Sequence, residues 1–194
     1  MPLALKNNCE KWTYADYLTW DDGKRWELID GVVYPLSSSP GTLHQRVSGG
    51  LGVQFGNFFA GKTTEVFFAP FDVCLIDKPT VPDNEITTVV EPDLIVICDR
   101  TMLEERCCMG VPDLLVEILT AESAAHDLKT KYDLYQRHGV NEYWIVHPEE
   151  QAVMVFKIGE DGTYGRPERY AGDDTVAVPF FGDLSIDLKS VFAE

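Results

Sequence analysis

A mixed α/β fold, one sheet flanked by helices, is predicted by three features of the chain. Residues 93–97 and 114–119 are continuous apolar runs, as expected of strands covered on both faces. Segments with apolar residues at helical spacing alternate with strand-like runs. Asp30-Gly31 separates two short apolar stretches, which is a strong hairpin signal.

Taken in order, Thr13-Tyr14-Ala15-Asp16 resembles a capping box with Asp in the usual Glu position, opening a short helix to about Leu18. Residues 25–29 and 32–34 form the arms of the hairpin, and 37–41 a loop. A helix beginning at Thr42 carries Leu43, Val47, Leu51, Phe55 and Phe58 on one stripe. Four glycines (Gly49, Gly50, Gly52, Gly56) each cost that helix about 1 kcal/mol against Ala; their usual meaning is close packing. Residues 65–76 alternate in part. A helix spans 124–138 and stops at Gly139. Residues 142–146 and 152–158 are two further strands around a turn, and 164–194 holds strands, turns and a short final helix. No repeat or linker interrupts the chain, so residues 1–194 are expected to form one domain.

Composition bounds the function. The chain has 194 residues, 45% hydrophobic and 25% charged, an ordinary globular mix. Its 32 acidic and 16 basic residues give a net charge of −16, which opposes nucleic-acid binding. Charges separated by more than about 8 Å are largely screened at physiological salt, so a local cation can outweigh a distant acidic surface. Five cysteines, an odd number without a Cys-x-x-Cys, indicate neither a zinc knuckle nor a disulfide framework. No run reaches the roughly 20 apolar residues of a membrane span, so a cytoplasmic protein with no membrane partner is expected. Walker, nucleophile-elbow and dinucleotide motifs are absent.

The informative residue is Glu117, a carboxylate inside the apolar run 114–119. Burying it demands a metal, a cation or a proton; a structural salt bridge or an edge position remains open. If the two apolar runs pair as an antiparallel hairpin centred near residue 105, Asp93 falls opposite Glu117, with Cβ atoms about 5 Å apart. Two carboxylates so close repel unless a cation lies between them, and Mg²⁺ prefers such oxygens. Asp113 shares the strand face of Glu117 but lies some 13 Å along it, so Asp93 is preferred. Lys131 lies beside the stripe Leu128/Tyr132/Tyr135 and Lys129 points away; snorkelling to solvent is the alternative for Lys131. Glu27 and His44 are weaker candidates, each with a purely structural alternative. His126, His138 and His147 show no metal-ligand spacing.

The ordered set Glu27-Leu28-Ile29-Asp30-Gly31, His44, Pro92-Asp93-Leu94, Val116-Glu117-Ile118-Leu119, 127–135 with Lys131, 139–144 and Pro148-Glu149 resembles the Uma-type family, a bacterial group classed with restriction endonucleases in the PD-(D/E)xK nuclease superfamily. The resemblance covers about residues 13–158. It implies a restriction-endonuclease-like mixed β-sheet flanked by helices, with additional β-hairpins. It further implies an endonuclease hydrolysing DNA phosphodiesters with Mg²⁺ (or Mn²⁺). Asp93 and Glu117, with the main-chain carbonyl of Ile118, would hold the metal. The motif lysine two residues after the acid is replaced here by Leu119, and Lys131 from the following helix would take its place. Glu27 and His44 would line the same site. By analogy with nucleases that cut both strands, a homodimer is expected. The rival reading is a non-catalytic nuclease-fold module that binds protein or nucleic acid.

Overall fold

The computed structural model describes residues 11–36, 40–78 and 80–193. Ser37–Ser39 of the expected loop, together with Cys9, lie outside the described residues. Thr13 caps helix α1 (Tyr14–Tyr17): its side chain accepts from the Asp16 amide, while the Asp16 carboxylate accepts from the Thr13 amide at 2.9 Å. The hairpin follows as β1 (Trp26–Ile29) and β2 (Val32–Pro35). Asp30 and Gly31 take φ of 53° and 82°, the two left-handed residues that a tight turn between twisted strands requires.

Helix α2 (Thr42–Phe59) runs through all four glycines. Its buried stripe is His44, Val47, Leu51, Phe55 and Phe59, which keeps the middle of the expected stripe and replaces its two end members. Leu43 is exposed and Phe58 only half-buried. Two of the glycines explain themselves: a Cβ on Gly50 would stand 3.0 Å from the Val191 backbone, and one on Gly52 would stand 2.7 Å from the Phe68 ring.

The remaining strands are β3 (Glu65–Phe68), β4 (Asp72–Cys74), β5 (Val89–Val90), β6 (Leu94–Ile97), β7 (Cys107–Met109), β8 (Leu114–Ile118), β9 (Glu142–His147), β10 (Ala152–Lys157), β11 (Glu168–Ala171), β12 (Thr175–Ala177) and β13 (Ser185–Asp187). They form a six-stranded sheet in the order β11-β10-β9-β8-β6-β3, a five-stranded sheet in the order β2-β1-β5-β4-β7, and the ribbon β12-β13. The larger sheet is mixed: β8 and β9 are parallel and its other pairs antiparallel. A helix between parallel neighbours is the connection such a pair needs. Here it is a π-helical stretch, His126–Lys131, running into α3 (Tyr132–Arg137).

β6 and β8 are interior strands of this sheet with both faces covered, which is why they read as unbroken apolar runs. Even-numbered Leu114, Val116 and Ile118 join a core with α2, β12, β13 and α4 (Leu188–Val191). Odd-numbered Leu115 and Leu119 join Leu134 and Tyr135 of α3 and residues of the five-stranded sheet in a second core. Strand parity therefore sends Glu117 into the second core, toward α3 and β1.

Candidate active site

The site lies where β6 begins and β8 ends. The antiparallel ladder sets Leu94 opposite Val116 and Ile95 opposite Leu115. One step further along this register is Asp93 opposite Glu117. At that step, however, the Asp93 carboxylate turns along the sheet end: Oδ2 accepts from the Ile118 amide at 2.7 Å, and Oδ1 lies 3.1 Å from His44 Nε2 of α2. Leu119, at the position of the motif lysine, is a core residue.

Lys131 is the hub. Its ammonium lies 2.8 Å from Glu117 Oε1, 2.8 Å from Glu27 Oε1 and 3.7 Å from Asp127 Oδ1, with only 3% of the side chain exposed. Tyr135 donates to Glu117 Oε1 at 2.7 Å. Glu27, fully buried in β1, also accepts from the Glu91 amide. Lys129 is exposed, as expected, but the stripe used to place Lys131 is wrong in one member: Leu128 is 45% exposed. The reason is the π stretch. The Tyr132 amide donates to the Asp127 carbonyl five residues back, so the turn is wider than α. Asp127 and Lys131 are buried together and Leu128 is thrown outward.

The cleft above these groups has a volume of about 420 Å³ and is also lined by Arg25, Tyr34, Glu122 and His126. Sequence reasoning missed Asp127, His126 and Arg25. The first had a signal, its four-residue spacing from Lys131. His126 Nε2 approaches Glu27 Oε2 to 3.4 Å without hydrogen-bond alignment, and its ring lies 4.8 Å from that of Tyr34, the cross-strand neighbour of Glu27. That contact joins the β1–β2 hairpin to a helix about 90 residues away in the chain and has no local signature. Asp113 caps the other end of the sheet, accepting from the Cys98 amide, and is outside the cleft.

Burial pushes Glu117 well above the ordinary carboxylate range; Lys131 opposes this, while Asp127, Asp93 and Glu27 add to it. Burial acts on Glu27 the same way but is outweighed by Lys131, His126 and the Glu91 amide, which hold it at about 2. Burial alone would lower Lys131; Glu117, Glu27 and Asp127 reverse that and raise it. Asp127 is raised, first by burial. One ammonium thus serves three buried carboxylates, with Asp93 beside them. Among the described residues, no three His, Cys, Asp or Glu side chains are already gathered as metal ligands. The donor chemistry still fits a hard divalent cation: carboxylate oxygens converge in excess over positive charge, and Glu27 Oε2 and His44 Nδ1 are buried without hydrogen-bond partners.

A mixed sheet flanked by helices, with a carboxylate–lysine cluster where two neighbouring strands begin and end, has a restriction-endonuclease-like fold. The chain belongs to the Uma2 family, described as "Putative restriction endonuclease", whose model matches residues 14–189. A crystal structure of a "putative nuclease belonging to DUF820" from Anabaena variabilis superposes with a TM-score of 0.72 at 19% identity, covering 93% of this chain and 97% of that one. The uncharacterized Synechocystis sp. protein slr1290 is 22% identical over 152 residues, 77% of this chain and 75% of its own. Among the described residues, no helix is long and apolar enough to cross a membrane.

Proposed function

We propose that this chain is a divalent-metal-dependent endonuclease hydrolysing DNA phosphodiesters, with residues 1–194 acting as one domain. The observation that carries this reading is the charge imbalance of the cleft. Glu27, Glu91, Asp93, Glu117, Glu122 and Asp127 line it against two formal cations, Arg25 and Lys131. A phosphodiester cannot approach such a surface until positive charge is added. Asp93, Glu117 and the Ile118 carbonyl are the ligands we assign to Mg²⁺ or Mn²⁺, which when bound would acidify a water and act as Lewis acid on the phosphate. Lys131, pinned between Glu27 and Glu117, has a fixed ammonium with which to orient that water or offset charge developing on the phosphate. His44 holds Asp93 from the α2 side, and Glu27 keeps Lys131 charged.

The test is cleavage of plasmid and single-stranded DNA with Mg²⁺, Mn²⁺ or EDTA, beside calorimetric metal titration, for wild type and Glu117→Gln. We expect cleavage only with metal, and loss of both cleavage and metal affinity in the variant, with its circular dichroism unchanged. Wild-type protein that neither binds metal nor cuts would overturn the proposal. The non-catalytic reading has one observation in its favour, the direct Lys131–Glu117 ion pair. On that reading Glu117→Gln lowers the melting temperature sharply and changes nothing else. Sedimentation with and without duplex DNA tests whether the chain acts as a homodimer.

A further inference from the structure

Lys131 cannot be the group that first meets a phosphate, because it is buried among carboxylates. The other formal cation lining the cleft is Arg25, whose side chain is 41% exposed. Its Nε and Nη2 both donate to one oxygen of Glu91, Oε2, the Nε bond being 2.9 Å. A guanidinium has five N–H donors, so two bonds to one oxygen orient it and leave Nη1 for a ligand. Glu91 is itself buried, with its side chain 6% exposed, and accepts through Oε2 both guanidinium bonds. The arginine is therefore held in place by the scaffold.

Arg25 also lines a second cavity, of about 570 Å³, which shares Pro40, His44 and Asp93 with the first. This groove adjoins the cleft and is lined by Gln45, Ser48 and Val53 of α2 and by Phe68 of β3. Its volume is within the range that holds a small organic ligand. Gly52 leaves room for the Phe68 ring to lie against the helix, and the residue remains 40% exposed. A fixed cation beside a reactive cleft, with an exposed aromatic residue lining the groove that adjoins it, matches a phosphate and a neighbouring base. We infer that this groove is the subsite for the nucleotide flanking the scissile phosphate, with Arg25 gripping a backbone phosphate and Phe68 stacking on the base.

The inference rests on the nuclease reading for its substrate but is tested by binding. The probe is a fluorescein-labelled single-stranded DNA of about 12 nucleotides, followed by anisotropy against salt in Ca²⁺. Arg25→Gln is made in a Glu91→Gln background and compared with Glu91→Gln alone, so that no buried charge is orphaned. We expect the slope of log affinity against log salt to shrink by about 0.7, the loss of one phosphate contact. Phe68→Ala should weaken binding about 5- to 100-fold without changing that slope, and Phe68→Trp should restore it. Wild type that binds while these variants keep its affinity and slope would overturn the subsite, as would wild type that does not bind. A concentration-dependent dimer abolished by Phe68→Ala, with oligonucleotide binding intact, would instead assign the groove to a second copy of the chain. Binding with the expected dependences but no cleavage would sustain the subsite and sink the nuclease. Cleavage with KM unmoved in the variants would do the reverse.

Discussion

Glu27 and Glu117 touch the same ammonium at the same 2.8 Å, yet one is held ionised and the other pressed to take a proton or a cation. The difference lies in their second partners. Glu27 has a main-chain amide and a histidine; Glu117 has a tyrosine hydroxyl and three acidic neighbours. A similar penalty without a lysine falls on Asp72 at the other end of the Glu91 network. Burial pushes it up to about 6, and the Glu91 charge adds to the effect, although Tyr17 donates to it at 2.9 Å. Its folded pKa lies above the unfolded one, so its contribution favours the folded state at low pH and is lost as pH rises through the folded value. Asp72→Asn keeps an acceptor for Tyr17 and cannot ionise. We expect the stability gap between Asn and wild type to be flat below about pH 4 and to grow in favour of Asn to roughly 1–3 kcal/mol by about pH 7. Urea unfolding across that range measures it; a gap independent of pH would mean that Asp72 ionises freely in the folded chain.

Helix α2 shows how an element can carry residues that weaken it. Its glycines divide into two kinds. Gly50 and Gly52 are contact glycines, against Val191 and Phe68, whereas a Cβ at Gly49 or Gly56 would meet nothing within 4 Å. Gly49→Ala and Gly56→Ala should therefore each gain about 0.5–1 kcal/mol of helix propensity. Gly50→Ala should lose stability by roughly 1–2 kcal/mol, because the rigid partner is backbone of α4. Thermal melts of the three variants decide this, and a stabilising Gly50→Ala would show that α4 yields. Sequence periodicity placed Val47, Leu51 and Phe55 of α2 on the buried face but misplaced both ends of the stripe, since Leu43 and His44, like Phe58 and Phe59, are adjacent and hydrophobicity does not separate them correctly. The helix bearing Lys131 was legible as a helix, but its π turn was not. A single widened turn leaves composition unchanged while moving Leu128 out and Asp127 in. The register of β6 with β8 is the expected one, but the simple hairpin is not: the segment between them carries β7, buried and paired with β4 in the other sheet. The five-stranded sheet was not legible: β5 spans two residues and pairs with β1 and β4 from distant parts of the chain, and such short strands have no period to detect.

The whole molecule carries a net charge of −16, and folding and the proposed DNA binding should respond to salt in opposite directions. Gathering so many like charges into a compact body costs self-repulsion, which the unfolded chain relieves by spreading them. Salt shortens the Debye length from about 30 Å at 0.01 M to about 8 Å at 0.15 M, so most of that repulsion disappears over this interval. Among the described residues, Arg100–Glu65, Arg137–Asp30 and Lys157–Glu168 are exposed pairs that salt weakens, but such pairs contribute only about 0–1 kcal/mol each; the pairs of Lys131 are buried and weakly screened. The melting temperature should rise as NaCl increases over this range. DNA binding should weaken over the same interval, because released counterions are driven back onto the phosphates. Replacing NaCl by MgCl₂ at equal ionic strength separates general screening from a specific cation in the cleft. Screening alone predicts the same melting temperature in both salts. A cation held by Asp93 and Glu117 predicts a further rise in MgCl₂ that saturates with concentration and disappears in Glu117→Gln. A melting temperature that falls with NaCl would mean that surface ion pairs, and not net repulsion, dominate the electrostatics of this fold.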